Sequence, residues 1–138
     1  MNTIPTLNKS ASKVLDALTA GLAVGEGRKI GEEGGVYMQV SVGRLTGATF
    51  SVAHYYEQGG DLIPDPDMEF VKTAAGWLPV TCTLALGYFT RAMNLDENEQ
   101  VESYSPRATR ELVSFANMWM RNIKDQQDLK ALKTKEAA

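Results

Sequence analysis

The stretch from 108 to 123 constrains the fold more than any other part of the chain. Its apolar residues recur at steps of three and four, which is the spacing of one face of an α-helix. The members of this stripe are Ala108, Leu112, Phe115, Ala116, Trp119 and Ile123. The helix is predicted to start at Ser105 and Pro106, because serine caps helices and proline is tolerated at the first helical position. So wide an apolar face needs a second layer to cover it.

The middle of the chain supplies strand patterns for that second layer. From 36 to 42 apolar and polar residues alternate, which is the period of a half-buried strand. The residues on its predicted inner side are Val36, Met38, Val40 and Val42. Further strands are predicted over 48–56, 68–73 and 78–93, with a bend or turn at Gly87.

An amphipathic helix is predicted near the N-terminus, over 10–22, with Ser10 or Ser12 as its N-cap. The following segment, 25–35, holds five glycines among charged residues and predicts a mobile loop. A polar connector is predicted at 94–102. The order of these elements predicts an α+β fold: an N-terminal helix, an antiparallel sheet of three to five strands, and a long C-terminal helix packed on the sheet.

A chain of 138 residues is most simply one domain. We expect its core to span about 10–127, with flexible segments at 1–8, 25–35 and 128–138. No apolar run approaches the roughly 20 residues that would span a bilayer, and the N-terminus lacks the apolar segment of a secretory signal. The sequence therefore predicts a cytoplasmic protein that does not enter a membrane.

Charge is distributed unevenly along the chain. Residues 54–102 carry nine acidic and two basic side chains, although the whole chain has a net charge of only -3. An acidic segment disfavours direct nucleic-acid binding, which depends largely on neutralising phosphates. It favours a protein partner with a basic surface.

The acidic character is concentrated in HYYEQGGDLIPDPDMEF, residues 54–70. One interpretation is structural: Gly59 and Gly60 form a hairpin turn, and Pro64 and Pro66 make the chain leave the sheet or follow its edge until Met68. In this interpretation the aspartates are turn formers that bond nearby backbone N–H groups.

Two functional interpretations of the same residues remain open. Asp61, Asp65, Asp67 and Glu69 supply the oxygen ligands that Mg²⁺ and Ca²⁺ prefer, although Pro66 and a missing glycine set the spacing apart from a calcium loop. Asp67 and Glu69 should lie on the same side of a strand, which is compatible with paired acid–base chemistry. Alternatively, the acidic surface contacts a partner. The candidate partner-binding residues are Tyr56, Glu57, Asp61, Asp65, Asp67 and Glu69.

His54 and Cys82 are each the only residue of their kind. His54 is expected to be a packed, hydrogen-bonded sheet residue rather than a catalytic base, and Cys82 a buried, inert thiol. We find no nucleophile elbow, phosphate-binding loop, dinucleotide fingerprint or zinc-ligand spacing. The sequence thus predicts no cofactor and no catalytic residue, and an enzyme is the less favoured class.

The motifs do carry a resemblance. HYYEQGGDLIPDPDMEF, Trp77 with Pro79, and FANMWMRNIKDQQ resemble a small uncharacterised family of bacterial and phage proteins found on plasmids, integrative elements and prophages. The resemblance covers roughly 48–127. Its motif positions are Glu57, Gly60, Asp61, Asp65, Met68, Glu69, Phe70, Trp119 and Asn122. It implies a bacterial cytoplasmic setting on a mobile element, and no activity.

Three functional hypotheses follow. The first is a small acidic protein that binds the basic surface of a host protein, for example to inhibit a defence or nucleic-acid-handling factor. The second is a metal-dependent enzyme that uses Asp61, Asp65, Asp67 and Glu69. The third is a self-associating structural protein. The oligomeric state stays open between monomer and homodimer.

Overall fold

The computed structural model describes residues 3–32, 34 and 36–127. The side chains of Glu57 and Gln58 lie outside that description. The chain forms two helices, eight strands and one 3₁₀ turn in the described residues. In chain order they are α1 (Lys9–Thr19), β1 (Gly27–Ile30), β2 (Val40–Arg44), β3 (Thr49–Gln58), β4 (Asp61–Thr73), β5 (Gly76–Thr83), the 3₁₀ turn (Ala85–Gly87), β6 (Phe89–Arg91), β7 (Met93–Leu95), β8 (Val101–Tyr104) and α2 (Pro106–Gln127).

Strands β1 to β6 form one antiparallel sheet in which every strand pairs with the next strand of the sequence. Strands β7 and β8 pair separately. The predicted α+β architecture, with an antiparallel sheet and a long C-terminal helix, is confirmed. The predicted number of three to five strands was too low, because β1 and β6 are edge strands of four and three residues. So short a run carries too little alternation to be recognised in a sequence.

Helix α2 packs its predicted apolar stripe against the sheet. Ser105 caps this helix, since its Oγ accepts a hydrogen bond from the Ala108 N–H at 3.2 Å. The buried residues of α2 are Thr109, Leu112, Ala116, Trp119, Met120 and Ile123. The face of the sheet that the helices cover, which we call the inner face, contributes Val40, Val42, Phe50, Val52, Met68, Phe70 and Val80 to the same core. Neither described helix is long and apolar enough to cross a membrane.

Helix α1 lies beside α2 and is attached to the sheet through Asp16. The Asp16 carboxylate accepts hydrogen bonds from the Trp77 Nε1–H at 3.0 Å and from the Lys72 ammonium at 3.1 Å. The predicted N-cap was wrong: Asn8 caps α1, since its Oδ1 accepts from the Ala11 N–H. The helix also ends at Thr19, three residues before its predicted end, because Gly21 adopts a positive φ of 75°.

Strand β4 runs without a break from Asp61 to Thr73, whereas the sequence predicted a hairpin strand that begins at Asp61 and a separate strand from Met68. Strand β5 pairs with β4 only from Asp67 onwards, so the residues before Asp67 have a neighbouring strand on one side alone. This free edge accommodates Pro64 and Pro66, which cannot donate backbone hydrogen bonds. Of the two courses that the sequence left open, the chain takes the one along the sheet edge. The predicted turn at Gly59 and Gly60, where φ is 61° and 89°, is confirmed.

The strand predicted over 36–42 begins four residues late, at Val40. Val40 and Val42 are buried as predicted, but Val36 is 94% and Met38 is 44% exposed. The reason is that pairing between β1 and β2 ends at Ile30 opposite Val40, so the residues before Val40 have no strand beside them. Val36 and Met38, the first two apolar residues of the predicted strand, therefore lie at the surface.

The predicted polar connector at 94–102 contains the β7–β8 hairpin instead. Its turn places Glu99 at a positive φ of 62°. The Glu99 carboxylate accepts hydrogen bonds from the Ala48 N–H and from the hydroxyls of Thr46 and Thr49, and these bonds lower its pKa. Glu99 therefore joins this hairpin to the β2–β3 connection. The predicted glycine-rich loop, 25–35, likewise contains β1, while residues 33 and 35 lie outside the described residues.

Candidate functional site

The outer face of the sheet, opposite the two helices, carries two neighbouring cavities in the described part of the chain. The first, which we call the acidic cavity, has a volume of about 400 Å³. It is lined by Leu45, Ser51, Tyr55, Asp67, Glu69, Thr81, Thr83 and Phe89. These residues come from strands β3 to β6, except Leu45, which directly follows β2, so the centre of the sheet forms the floor of the cavity.

Strand alternation brings Asp67 and Glu69 to this face. In β4 they stand two positions apart, and the register places Asp67 between Ala53 and Thr83, and Glu69 between Ser51 and Thr81. Their location on the same side of a strand was predicted from the sequence and is confirmed. Glu69 accepts a hydrogen bond from the Thr81 hydroxyl at 2.8 Å.

Asp67 is held in an environment that opposes its negative charge. Burial raises the pKa of this carboxyl, the charge of Glu69 raises it further, and a hydrogen bond from the Tyr55 hydroxyl partly offsets both effects. Within the described chain, the Asp67 Oδ1 atom is buried without a hydrogen-bond partner. The pKa of Tyr55 is raised in turn, first by burial and then by Asp67. A cation beside these carboxylates would offset the repulsion between Asp67 and Glu69, and it would give the Asp67 Oδ1 atom a partner.

The other predicted site residues lie elsewhere. The Asp65 carboxylate accepts from the Ala85 N–H at 3.2 Å, next to the 3₁₀ turn. Asp61 is exposed at the β3–β4 turn, and Tyr56 is half-buried opposite Ile63. The side chain of Glu57 lies outside the described residues. In the described residues no three His, Cys, Asp or Glu side chains are placed to hold a metal ion together. Of the four predicted carboxylates, only Asp67 and Glu69 therefore lie next to each other.

The second cavity, which we call the apolar cavity, has a volume of about 440 Å³ and adjoins the first at Tyr55. Its lining residues are Lys29, Glu32, Gly34, Val36, Tyr37, Met38, Gln39, Ser41, Tyr55 and Leu62. Sequence reasoning missed this cavity. The available signal was the apolar alternation from Val36, which was interpreted as a buried strand.

A larger cavity, of about 640 Å³, lies at the end of α1. Two cationic side chains, Arg44 and Lys72, line it, and both make hydrogen bonds or ion pairs within the protein. Arg44 donates to the backbone oxygens of Leu22, Thr46 and Gly47, and Lys72 pairs with Asp16. We therefore assign these cations a structural role, in which they fix the end of α1 to the sheet.

His54 belongs to the inner face. Its ring meets the Trp119 ring edge to face, with 5.5 Å between the ring centroids. Burial lowers the pKa of His54, and the charge of Asp65 opposes this effect. The expected packing of this histidine agrees with the structure. The expected hydrogen bonding does not, because in the described part of the chain His54 Nε2 has no hydrogen-bond partner.

Cys82 is buried in the core on β5, where it pairs with Met68 of β4. Burial, reinforced by the charges of Asp67 and Asp65, raises its pKa to about 11. We predict that the native protein does not react with a thiol reagent such as DTNB at pH 8, because the thiolate is the reactive species. Full reaction is expected in 8 M urea. Reaction of the folded protein at the rate of a free cysteine would contradict this prediction.

Comparison with known proteins adds one finding. A family model described as "Domain of unknown function (DUF6908)" matches residues 4–129. No curated protein and no solved structure matches the chain. The matched range includes both cavities of the outer face and both helices.

Proposed function

Because the chain belongs to the DUF6908 family, whose domain has no assigned function, we propose a role based on the outer face itself. The protein binds a basic segment of a partner protein there, and Asp67 and Glu69 form the centre of the contact. The observation that carries this proposal is the adjacent pair of carboxylates in the acidic cavity, one of which has a buried oxygen with no hydrogen-bond partner among the described residues.

The energetics of the pair favour a cationic ligand. Two carboxylates two positions apart on one strand repel each other, and burial adds to the free energy of keeping Asp67 ionised. A lysine or arginine side chain would supply the missing donor and remove the repulsion. Hydrogen bonds between charged groups are the stronger kind, so a small contact area can still contribute specific affinity.

The charge of the surrounding chain supports association with a basic partner. Residues 54–102 carry nine acidic and two basic side chains. An acidic region of this kind raises the rate of encounter with a basic surface, and the effect weakens as salt screens the charges.

The proposal includes a setting. The resemblance to proteins of plasmids, integrative elements and prophages suggests a bacterial host. Proteins that handle nucleic acid present basic surfaces to phosphates. An acidic protein that occupies such a surface would inhibit a defence or nucleic-acid-handling protein, and we propose this class of partner.

A metal-dependent enzyme is less favoured by the geometry. It would need Asp61, Asp65, Asp67 and Glu69 in one coordination sphere, and the described residues bring only the last two together. The self-associating alternative stays a hypothesis.

The proposed function is tested by selecting random 12-residue peptides, displayed on phage, against the immobilised protein. We expect the selected peptides to be enriched in lysine and arginine. The double variant D67N/E69Q should bind a selected peptide about tenfold more weakly or worse, with a smaller dependence on salt.

The matched control is the double variant E97Q/E102Q. It removes the same charge from two exposed positions of the β7–β8 hairpin, outside both cavities. We expect its affinity for the same peptide to stay within about twofold of the wild type, since exposed distant charges are screened. Equal weakening by both double variants would show that net charge, and not the acidic cavity, determines binding.

A further inference from the structure

We propose that the outer face recognises a two-part segment, in which a basic side chain contacts Asp67 and Glu69 and an apolar side chain fills the apolar cavity. This inference rests on the proposed function and adds the second contact. Tyr55 lies between the two halves because it lines both cavities.

The apolar cavity displays side chains that folded domains rarely leave in water together. Val36 is 94% exposed, Leu62 is 69% exposed, and Tyr37 and Met38 are about half exposed. Single exposed apolar residues are common, but a cluster around one cavity marks an interaction surface. Methionine and tyrosine are also well suited to contacts with varied apolar partners.

The two cavities differ in charge, and this difference defines the chemistry of the partner. Among the described residues, the acidic cavity is lined by two carboxylates and by no basic side chain. Arg91 of β6, which pairs with Thr81, lies over the Phe89 ring at 5.7 Å. The described lining of the apolar cavity contains one basic residue, Lys29, and one acidic residue, Glu32. A cationic side chain is therefore attracted to one half only, and burial of apolar surface is the main gain at the other half.

The length of the segment follows from the strand that connects the halves. Leu62 pairs with Glu57 and Asp67 pairs with Ala53, which are four positions apart on β3 and so about 13 Å apart along the extended chain. An extended partner segment needs its apolar and basic side chains about four to six positions apart to reach both. A peptide of 12 residues is long enough to span them.

The test is a second peptide selection, with arginine fixed at position 6 of a 12-residue peptide and the other positions random. We expect leucine, phenylalanine, methionine or tryptophan to be enriched about four to six positions from the arginine, on one side of it. On the L62S variant this enrichment should disappear. A peptide selected on the wild type should bind L62S about tenfold more weakly, because a buried apolar side chain loses its contact.

Salt dependence separates the two halves. L62S should weaken binding without changing its dependence on salt concentration, whereas E69Q should reduce that dependence. The matched control is L86S, since Leu86 is 90% exposed on the 3₁₀ turn, outside both cavities, and should leave binding unchanged. Urea unfolding of each variant verifies that the fold is intact.

The outcomes of the two selections distinguish the two-part surface from the proposed function. If basic peptides are selected but show no apolar preference, or if L62S and L86S bind equally, the two-part surface is refuted and the proposed function stands. If the selected peptides are not basic, or if no peptide is enriched, both proposals fail.

Discussion

Replacing Trp77 with alanine is expected to lower the free energy of unfolding by about 3–5 kcal/mol. Trp77 is 1% exposed and meets the Phe50 ring edge to face, at 5.3 Å between centroids. The Lys72 ammonium lies over the Trp77 ring, and the Trp77 Nε1–H donates a hydrogen bond to Asp16. The substitution would therefore leave a cavity between the sheet and α1, and it would remove the hydrogen bond that joins them.

Urea unfolding, followed by the fluorescence of the remaining tryptophan, Trp119, measures this loss. The control is W77F, which keeps an aromatic ring but not the N–H group. Its expected loss is smaller, about 1–2 kcal/mol, because the ring still fills most of the space and only the hydrogen bond is lost. A loss below about 1 kcal/mol for W77A would be typical of a surface position and would contradict the described packing.

The second large effect is a loss of stability in mild acid that depends on His54. Burial lowers the pKa of His54 in the folded protein below its ordinary value of about 6.5. The unfolded chain thus binds the proton more readily than the folded chain does. The free energy of unfolding should therefore fall as the pH decreases from about 6.5 towards the folded pKa, and be unaffected by this group at higher pH.

The control for this effect is H54F, which keeps the edge-to-face contact with Trp119 and cannot be protonated. The difference in unfolding free energy between wild type and H54F, measured from pH 8 to pH 5, should change with the sign stated above. Taking the difference removes the contributions of Asp67, whose pKa is raised, and of Glu99, whose pKa is lowered. Parallel curves for the two proteins would show that the folded state accommodates the imidazolium.

The sequence predicted the parts of the fold that depend on local spacing. Helix α2 could be located from its apolar steps and its Ser105 cap, because helix periodicity and capping involve residues close together in the chain. The side of β4 shared by Asp67 and Glu69 could be predicted for the same reason, since it follows from strand alternation alone.

The rest depends on contacts between distant residues. The apolar alternation at Val36 is the same whether or not a strand lies beside it, so the exposure of Val36 and Met38 could not be inferred. Whether Tyr55 or Tyr56 lies on the outer face depends on which face of the sheet the helices cover. The dispersal of Asp61 and Asp65 depends on where β5 ends and the 3₁₀ turn begins. These are properties of register and of tertiary packing, which one sequence does not contain.

The sheet precedes helix α2 in the sequence, and this order matters while the chain is being synthesised on the ribosome. Strands β1 to β6 pair with their neighbours in sequence, and local pairing of this kind forms readily as a chain emerges. Helix α2, which covers the inner face, is the last described element to be made. Until it appears, His54 on the inner face lacks the Trp119 ring that packs against it. We therefore expect nascent chains that end before α2 to bind chaperones more strongly than chains that include it.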